Sequence, residues 1–186
     1  MLDISNIQPN LYIIGFMGTG KSVIGKRVAS SIRFEFIDTD SVIEAEENIS
    51  IREMFNFLGE SHFRQMERKF IETGHPPNNC VVSCGGGLAV QPGMLDLLKQ
   101  KGIVISLFAS TQVILSRVLG KDKRPLLNVD NPEEKILALL KEREKFYLEA
   151  GTAVSTDNRS IPEIVDHIRR IYLRESQSWI KKKEYV

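Results

Sequence analysis

The chain lacks the marks of a membrane, secreted or nucleic-acid-binding protein. Its 186 residues contain no apolar run approaching a membrane span, which takes about 20 residues. The opening Met1-Leu2-Asp3-Ile4-Ser5 lacks the basic and apolar regions of a signal peptide, so the expected location is the cytoplasm. Lys and Arg total 25 against 24 Asp and Glu, a net charge of +1, which gives no global basic field for nucleic acid. Repeats and low-complexity tracts are absent. There are two cysteines, Cys80 and Cys84, in an apolar run that reads as a strand. Four residues of strand span about 13 Å, whereas a disulfide needs Cα atoms within about 7 Å. The two therefore cannot pair with each other, and without nearby histidines they make a poor zinc site. Buried, reduced thiols are expected. With 42% hydrophobic and 26% charged residues, the composition is that of one globular domain carrying a small insertion at most.

What the chain does have is concentrated near its start. Leu11 to Ile14 read as a short apolar strand, followed by Gly15-Phe16-Met17-Gly18-Thr19-Gly20-Lys21-Ser22 and then a helix with Ile24, Val28 and Ile32 on one face. Gly15, Gly20, Lys21 and Ser22 fit the P-loop spacing. Glycines let the backbone wrap an anion through positive φ angles. The helix start aims unpaired N–H groups and partial positive charge at the same point. Lys21 adds a full charge for the β- and γ-phosphates, and Ser22 a hydroxyl for Mg²⁺.

A second strand, expected to end at Ile37, leads into Asp38 and Asp40, two carboxylates placed where open parallel sheets bind ligands. Ser41 and Glu44 have the spacing of a capping box, as do Ser50 and Glu53. The latter opens a helix with Ile51, Met54, Phe55 and Leu58 on one face. After Gly59 a further helix carries Phe63, Met66 and Phe70 as its expected core stripe, with Arg64 and Glu67 adjacent on its surface. The Cys80–Cys84 run ends in Gly85-Gly86-Gly87, more glycine than a turn needs, which suggests a close approach of backbone to a ligand. A helix over 92–100 precedes the apolar strand Ile103–Phe108, and Ser110 caps a helix reaching about Leu119 that carries Arg117. The polar stretch from Gly120 to Asp130 includes Arg124-Pro125 and reads as a mobile lid. Asn131-Pro132-Glu133-Glu134 starts a helix running to about Glu149. Ile136, Leu140, Arg143 and Tyr147 share its stripe, and an arginine on an apolar stripe needs a partner or an anion. A last strand at Thr152–Ser155 is followed by a helix opened by Ser160, with Ile164, Ile168 and Ile171 inward. The tail 174–186 shows no clear periodicity and is expected to fray, with no role in catalysis.

These elements alternate, so the expected fold is α/β: a doubly wound parallel sheet. The ordered set Gly15–Ser22, Asp38-Thr39-Asp40, Phe63-Arg64-x-x-Glu67, Gly85-Gly86-Gly87, Arg124-Pro-Leu-Leu127 and Arg143 before Tyr147 resembles the shikimate kinase family over roughly residues 10–172. The resemblance implies a five-stranded P-loop kinase core like that of nucleoside monophosphate kinases. It also implies a helical acceptor-binding segment at about 38–73 and a lid at about 120–131. It implies transfer of phosphate from ATP to the 3-hydroxyl of shikimate, and a cytoplasmic monomer with no nucleic acid or membrane partner is expected. Gly18, Thr19, Gly20, Lys21, Ser22 and Val23 would take the ATP phosphates, with Arg117 and Arg159 near the adenine. Ser22 and Asp38 would serve Mg²⁺. Asp40, Arg64, Gly86, Gly87 and Arg143 would hold shikimate. Lys21, Asp40 as candidate base, and Arg124 from the lid would be catalytic. The residues agree with that chemistry, since two arginines can fork onto a carboxylate and an aspartate can accept a hydroxyl proton.

Two other functions remain open. A kinase for gluconate or a nucleotide would share the P-loop, but the glycine triplet and the Arg64/Glu67 pair argue against it. A non-catalytic nucleotide-binding relative should have lost Lys21, Asp40 or Arg124, and all three are present.

Overall fold

The computed structural model describes residues 8–118 and 131–184. Five strands form one parallel sheet: β1 (Asn10–Gly15), β2 (Glu35–Asp38), β3 (Cys80–Ser83), β4 (Gly102–Phe108) and β5 (Thr152–Ser155), in the order β2-β3-β1-β4-β5. The eight helices of the described residues are α1 (Lys21–Ile32), α2 (Thr39–Glu47), α3 (Ile51–Phe57), α4 (Glu60–Thr73), α5 (Met94–Lys101), α6 (Thr111–Val118), α7 (Pro132–Leu148) and α8 (Ile161–Glu184). The α/β doubly wound expectation holds.

The period of two along β1 divides the core. Leu11 and Ile13 face one layer with α1 and α8, where Ile24, Val28, Ile164, Ile168 and Tyr172 close over them. Tyr12 and Ile14 face the other layer, built from α4, α5 and α7 through Phe70, Leu98, Ile136 and Tyr147. Central strands buried on both faces are mostly apolar, as β1, β3 and β4 are apart from the buried Asn10, Ser83 and Ser106. Each aliphatic side chain fully buried here contributes about 1.5–3 kcal/mol. The segment from α2 to α4 has a small core of its own, Ile43, Met54 and Phe63, beside the sheet.

Several local expectations match. Ser50 and Glu53 form a reciprocal capping box, with Glu53 N–H donating to Ser50 Oγ at 3.2 Å and Ser50 N–H to Glu53 Oε2 at 2.8 Å. Asn131 accepts from Glu134 N–H at 3.4 Å. Cys80 and Cys84 are buried and free.

Others are corrected. The Ser41/Glu44 capping box does not form, because the strand runs through Asp38 and α2 already starts at Thr39; Glu44 instead accepts from Ile51 N–H at 2.9 Å. On α4 the inward stripe is Phe63, Glu67, Phe70 and Ile71, with Met66 only partly buried. Gly93 takes a left-handed φ and delays α5 to Met94. The tail does not fray within the described residues. α8 continues to Glu184, with Ser176 buried and Trp179 packed on the sheet-side cluster. Trp179 Nε1–H donates to Lys99 O at 3.2 Å, and Thr152 Oγ1 donates to Glu175 Oε1 at 2.7 Å. The stripe Tyr172–Ser176–Trp179 has helical spacing, but a serine in its middle hides it. Arg124 and, apart from Asn131, the expected lid lie outside the described residues.

Candidate active site

The loop between β1 and α1 is shaped by its glycines. A Cβ on Gly15 would strike the Leu107 backbone of the adjoining strand, and Gly18 and Gly20 have φ of +81° and +92°, where side chains are disfavoured. Thr19 is buried and donates through Oγ1 to Phe16 O at 2.8 Å, pinning the turn. Gly20 caps α1 with no side chain, and the first turn carries no acid. The first-turn amides are thus left for an anion. Lys21 Nζ curls over the loop, donating to Gly15 O at 2.9 Å and Phe16 O at 3.1 Å. Val23 follows on the exposed side of the first turn.

Register brings the next residues in. Asp38 pairs with Ser83, and Ser83 with Ile13, so β2 and β3 end level with each other just before β1 ends at Gly15. Ser22 Oγ–H donates to Asp38 Oδ2 at 2.6 Å, and Ser22 Oγ lies 3.4 Å from Ser83 Oγ. Two hard oxygens on adjoining elements, beside an anion-binding loop, suit Mg²⁺, which takes few protein ligands and completes its shell with phosphate and water.

Beyond them the glycine triplet acts as a hub. A Cβ on Gly85 would lie 2.5 Å from Glu67 Oε1 and 2.6 Å from Asp40 Oδ1; one on Gly87 would lie 2.5 Å from Arg64 Nη2. Both glycines exist because charged side chains occupy the space a Cβ would fill. Gly85 N–H donates to the buried Thr39 Oγ1 at 2.9 Å, and Tyr147 Oη–H donates to Gly86 O at 2.5 Å. Three helices, α2, α4 and α7, therefore meet at three successive glycines.

The charges there are unusually enclosed. Burial pushes the Asp40 carboxyl above its ordinary pKa, the nearby Asp38 adds to this, and Lys21 opposes it. Glu67 is 0% exposed. Burial pushes its pKa up to about 7, although Arg64 Nη1–H donates to its Oε2 at 2.6 Å. Gln91 Nε2–H donates to the same oxygen at 2.7 Å, while Oε1 has no hydrogen-bond partner within the described residues. Glu60 Oε1 accepts from Arg64 Nη2–H at 2.7 Å and Nε–H at 3.1 Å, so two acids hold this guanidinium in place. Arg143 is 8% exposed and its Nε–H likewise lacks a partner. Burial raises the Tyr147 pKa to about 12, against the pull of both Arg143 and Arg64, which places the two arginines around one hydroxyl.

On the far side of the loop is a cleft of about 390 Å³ lined by residues 18–24, Arg117, Thr156, Arg159, Ile161 and Ile164. Arg117 Nη1–H donates to Gly18 O at 3.0 Å and to the buried Thr156 Oγ1 at 3.3 Å. Arg159 hydrogen-bonds Ser155 O, Glu163 O and His167 Nδ1, the last at 3.1 Å.

The sequence-derived residues thus fall into two connected groups: Asp40, Arg64, Gly86, Gly87 and Arg143 around the triplet, and Gly18 to Val23 with Arg117 and Arg159 around the cleft. Lys21, Ser22 and Asp38 lie between. Glu60, Thr39, Gln91, Thr156 and His167 touch these groups and were not foreseen. Glu60 had a readable signal, lying four residues before Arg64. Thr39, Gln91 and Thr156 had none, since their roles depend on contacts with distant chain segments.

The family model for shikimate kinase matches residues 17–172, more than half of the chain. A shikimate kinase from Thermoanaerobacter pseudethanolicus is 41% identical over 166 residues, covering 89% of this chain and 96% of that protein. The structure of shikimate kinase from Acinetobacter baumannii in complex with shikimate superposes with a TM-score of 0.84 at 33% identity, covering 90% of this chain and 94% of that one. A gluconokinase from Sinorhizobium meliloti is similar in fold alone, with a TM-score of 0.57 at 16% identity, over 95% of this chain and 98% of that one.

Proposed function

The chain belongs to the shikimate kinase family, and from that premise we propose how its cleft works. It phosphorylates the 3-hydroxyl of shikimate at the expense of ATP, giving shikimate 3-phosphate and ADP on the route to chorismate and the aromatic amino acids. The observation that carries this reading is the meeting of two guanidinium groups and a half-buried carboxylate, Arg64, Arg143 and Asp40, on the glycine triplet. Shikimate is a carboxylate bearing hydroxyls, and this set complements it: planar forks for the carboxylate, an acceptor for a hydroxyl.

In this reading the amides of Gly18 to Val23 hold the phosphates, Arg117 and Arg159 flank the base, and Lys21 leaves the Gly15 and Phe16 carbonyls for phosphate oxygens. Ser22 and Asp38 would hold Mg²⁺, which would supply neutralisation of the phosphate charge. Gly86, Gly87, Arg64 and Arg143 position shikimate so that its hydroxyl reaches Asp40 Oδ. The raised pKa of Asp40 makes it a better proton acceptor than an ordinary exposed aspartate. Arg124 is assigned to the transferring phosphoryl group. Residues 38–73 form the acceptor-binding segment of a single domain spanning 1–186, with a lid at 120–131. We place the enzyme in the cytoplasm as a monomer, without nucleic-acid or membrane partners. Among the described residues no helix is long and apolar enough to cross a membrane.

Coupled ADP release with shikimate, gluconate and nucleoside monophosphates, each with and without Mg²⁺, tests the assignment. Mg²⁺-dependent turnover with a clear kcat/KM preference for shikimate is expected. Equal or better kcat/KM on another acceptor would reject it.

A further inference from the structure

We propose that Tyr147 is a positioning residue for the acceptor: its hydroxyl ties α7 to the Gly86 carbonyl and so holds Arg143 over the glycine triplet. The proposal rests on reading Arg143 as a ligand of the acceptor carboxylate.

Arg143 and Tyr147 are four residues apart on α7, so their side chains lie one turn above the other on the inward stripe. Tyr147 is buried, and its hydroxyl donates to Gly86 O at 2.5 Å. Its ring stacks edge-on to Phe108 at the end of β4, with centroids 6.5 Å apart and planes at 83°. The ring is thereby held by the sheet and the hydroxyl by the triplet. Arg143 makes no hydrogen bond through Nε, but its side chain hydrogen-bonds the Tyr147 hydroxyl. Its direction is thus set by Tyr147, through that contact and through the helix turn the tyrosine anchors. Gly86 is suited to the role because its carbonyl lies between Gly85, which carries Asp40 and Glu67, and Gly87, which carries Arg64. One hydrogen bond thus references the α7 arginine to the groups from α2 and α4.

A buried hydroxyl satisfied by a carbonyl also stabilises the fold, so the test must separate holding from folding. Tyr147→Phe keeps the ring and removes the tether. The expected result is a rise in KM for shikimate of about three- to tenfold, the size of one lost neutral hydrogen bond with a stranded carbonyl. KM for ATP should remain near wild type, and Tm should fall by only about 2–4 °C. In a double-mutant cycle with Arg143→Lys, the combined rise should be smaller than the product of the single rises, because both act on the same contact. Phe108→Leu, which loosens the ring but leaves the hydroxyl, should lower Tm and leave KM for shikimate unchanged.

Several results would overturn the proposal. One is a parallel rise in both KM values, and another is single effects that simply multiply. A third is a Phe108→Leu variant that reproduces the rise. If Arg143→Lys raises KM for shikimate and Tyr147→Phe does not, the tether alone is rejected. If Arg143→Lys is silent, the carboxylate reading of Arg143 falls and the tether with it.

Discussion

The two ends of the sheet both bury polar side chains. At the amino end, Asn10 Oδ1 accepts from Cys80 N–H at 2.8 Å and its Nδ2–H donates to Pro76 O at 2.8 Å. Tyr12 Oη lies 3.3 Å from His75 Nε2, and His75 Nδ1 lies 2.8 Å from Pro76 O. A neutral imidazole protonated on Nδ1 satisfies every one of these groups. At the carboxyl end, Glu67 Oε1 and Arg143 Nε are buried without partners, and Asp40 is held beside Asp38. An unsatisfied buried donor or acceptor costs about 1–3 kcal/mol. The amino end closes its network on itself and stabilises the fold. The carboxyl end keeps open valences at a cost in stability, and those valences are what a ligand with a carboxylate and hydroxyls can fill.

If this contrast is right, changes at the carboxyl end should damage chemistry before stability. The largest effect is expected from Asp40→Asn. Loss of a general base typically costs about 10²–10⁴ in rate, and removing a half-buried charge held beside Asp38 should leave Tm unchanged or higher. Steady-state kinetics and a thermal melt on one sample check it; kcat within a few-fold of wild type would remove the functional side of the contrast.

Next come Arg64→Lys and Arg143→Lys, which keep charge and lose the planar fork. KM for shikimate should rise about ten- to a hundredfold, in line with loss of a charged hydrogen bond, with KM for ATP unchanged. An effect confined to ATP would place these arginines at the wrong end of the cleft.

A pair of glycines sharpens the comparison. A Cβ on Gly102, at the amino end of β4, would meet the Asn10 backbone, which cannot yield. Overpacking of this kind costs about 1–3 kcal/mol, so Gly102→Ala should lower Tm and spare KM. A Cβ on Gly87 would meet the Arg64 guanidinium, a side-chain end that can shift where backbone cannot, though two acids hold it. Gly87→Ala should lower Tm less than Gly102→Ala and raise KM for shikimate. Identical outcomes from the two would erase the distinction.

The smallest effect concerns pH. Burial raises Glu67 from 4.5 to about 7, so its contribution to stability is fully present below 4.5 and is lost as pH rises through about 7. Burial lowers His75 below 6.5, so its contribution is present above 6.5 and is lost as pH falls through the depressed value. Glu67→Gln should make Tm rise more, or fall less, with pH between 4.5 and 7; His75→Gln should make it rise less below 6.5. Melts across that range decide, and shifts of the same sign would contradict the opposed burial.

The sequence by itself determined the P-loop, the parallel sheet, and the Ser50 and Asn131 helix caps. It also brought out the candidate residues Lys21, Asp38, Asp40, Arg64 and Arg143. These are legible because their chemistry is local. Glycine spacing sets a turn, alternation and four-residue periods set faces, and an arginine on an apolar stripe announces a missing partner. Tertiary structure alone decided that Glu67 is buried rather than a solvated partner of Arg64, and that α2, α4 and α7 all meet the glycine triplet. It alone showed that Tyr147 reaches Gly86, and that Trp179 seats the tail on α5. Those facts depend on segments tens of residues apart arriving at one point, where excluded volume and unmet hydrogen bonds select the contacts. The spacing of Arg64 and Glu67 is the same on a solvated helix face as on a buried one. Only the layer packed over that face, which sequence spacing does not encode, turns an ordinary ion pair into part of a binding site.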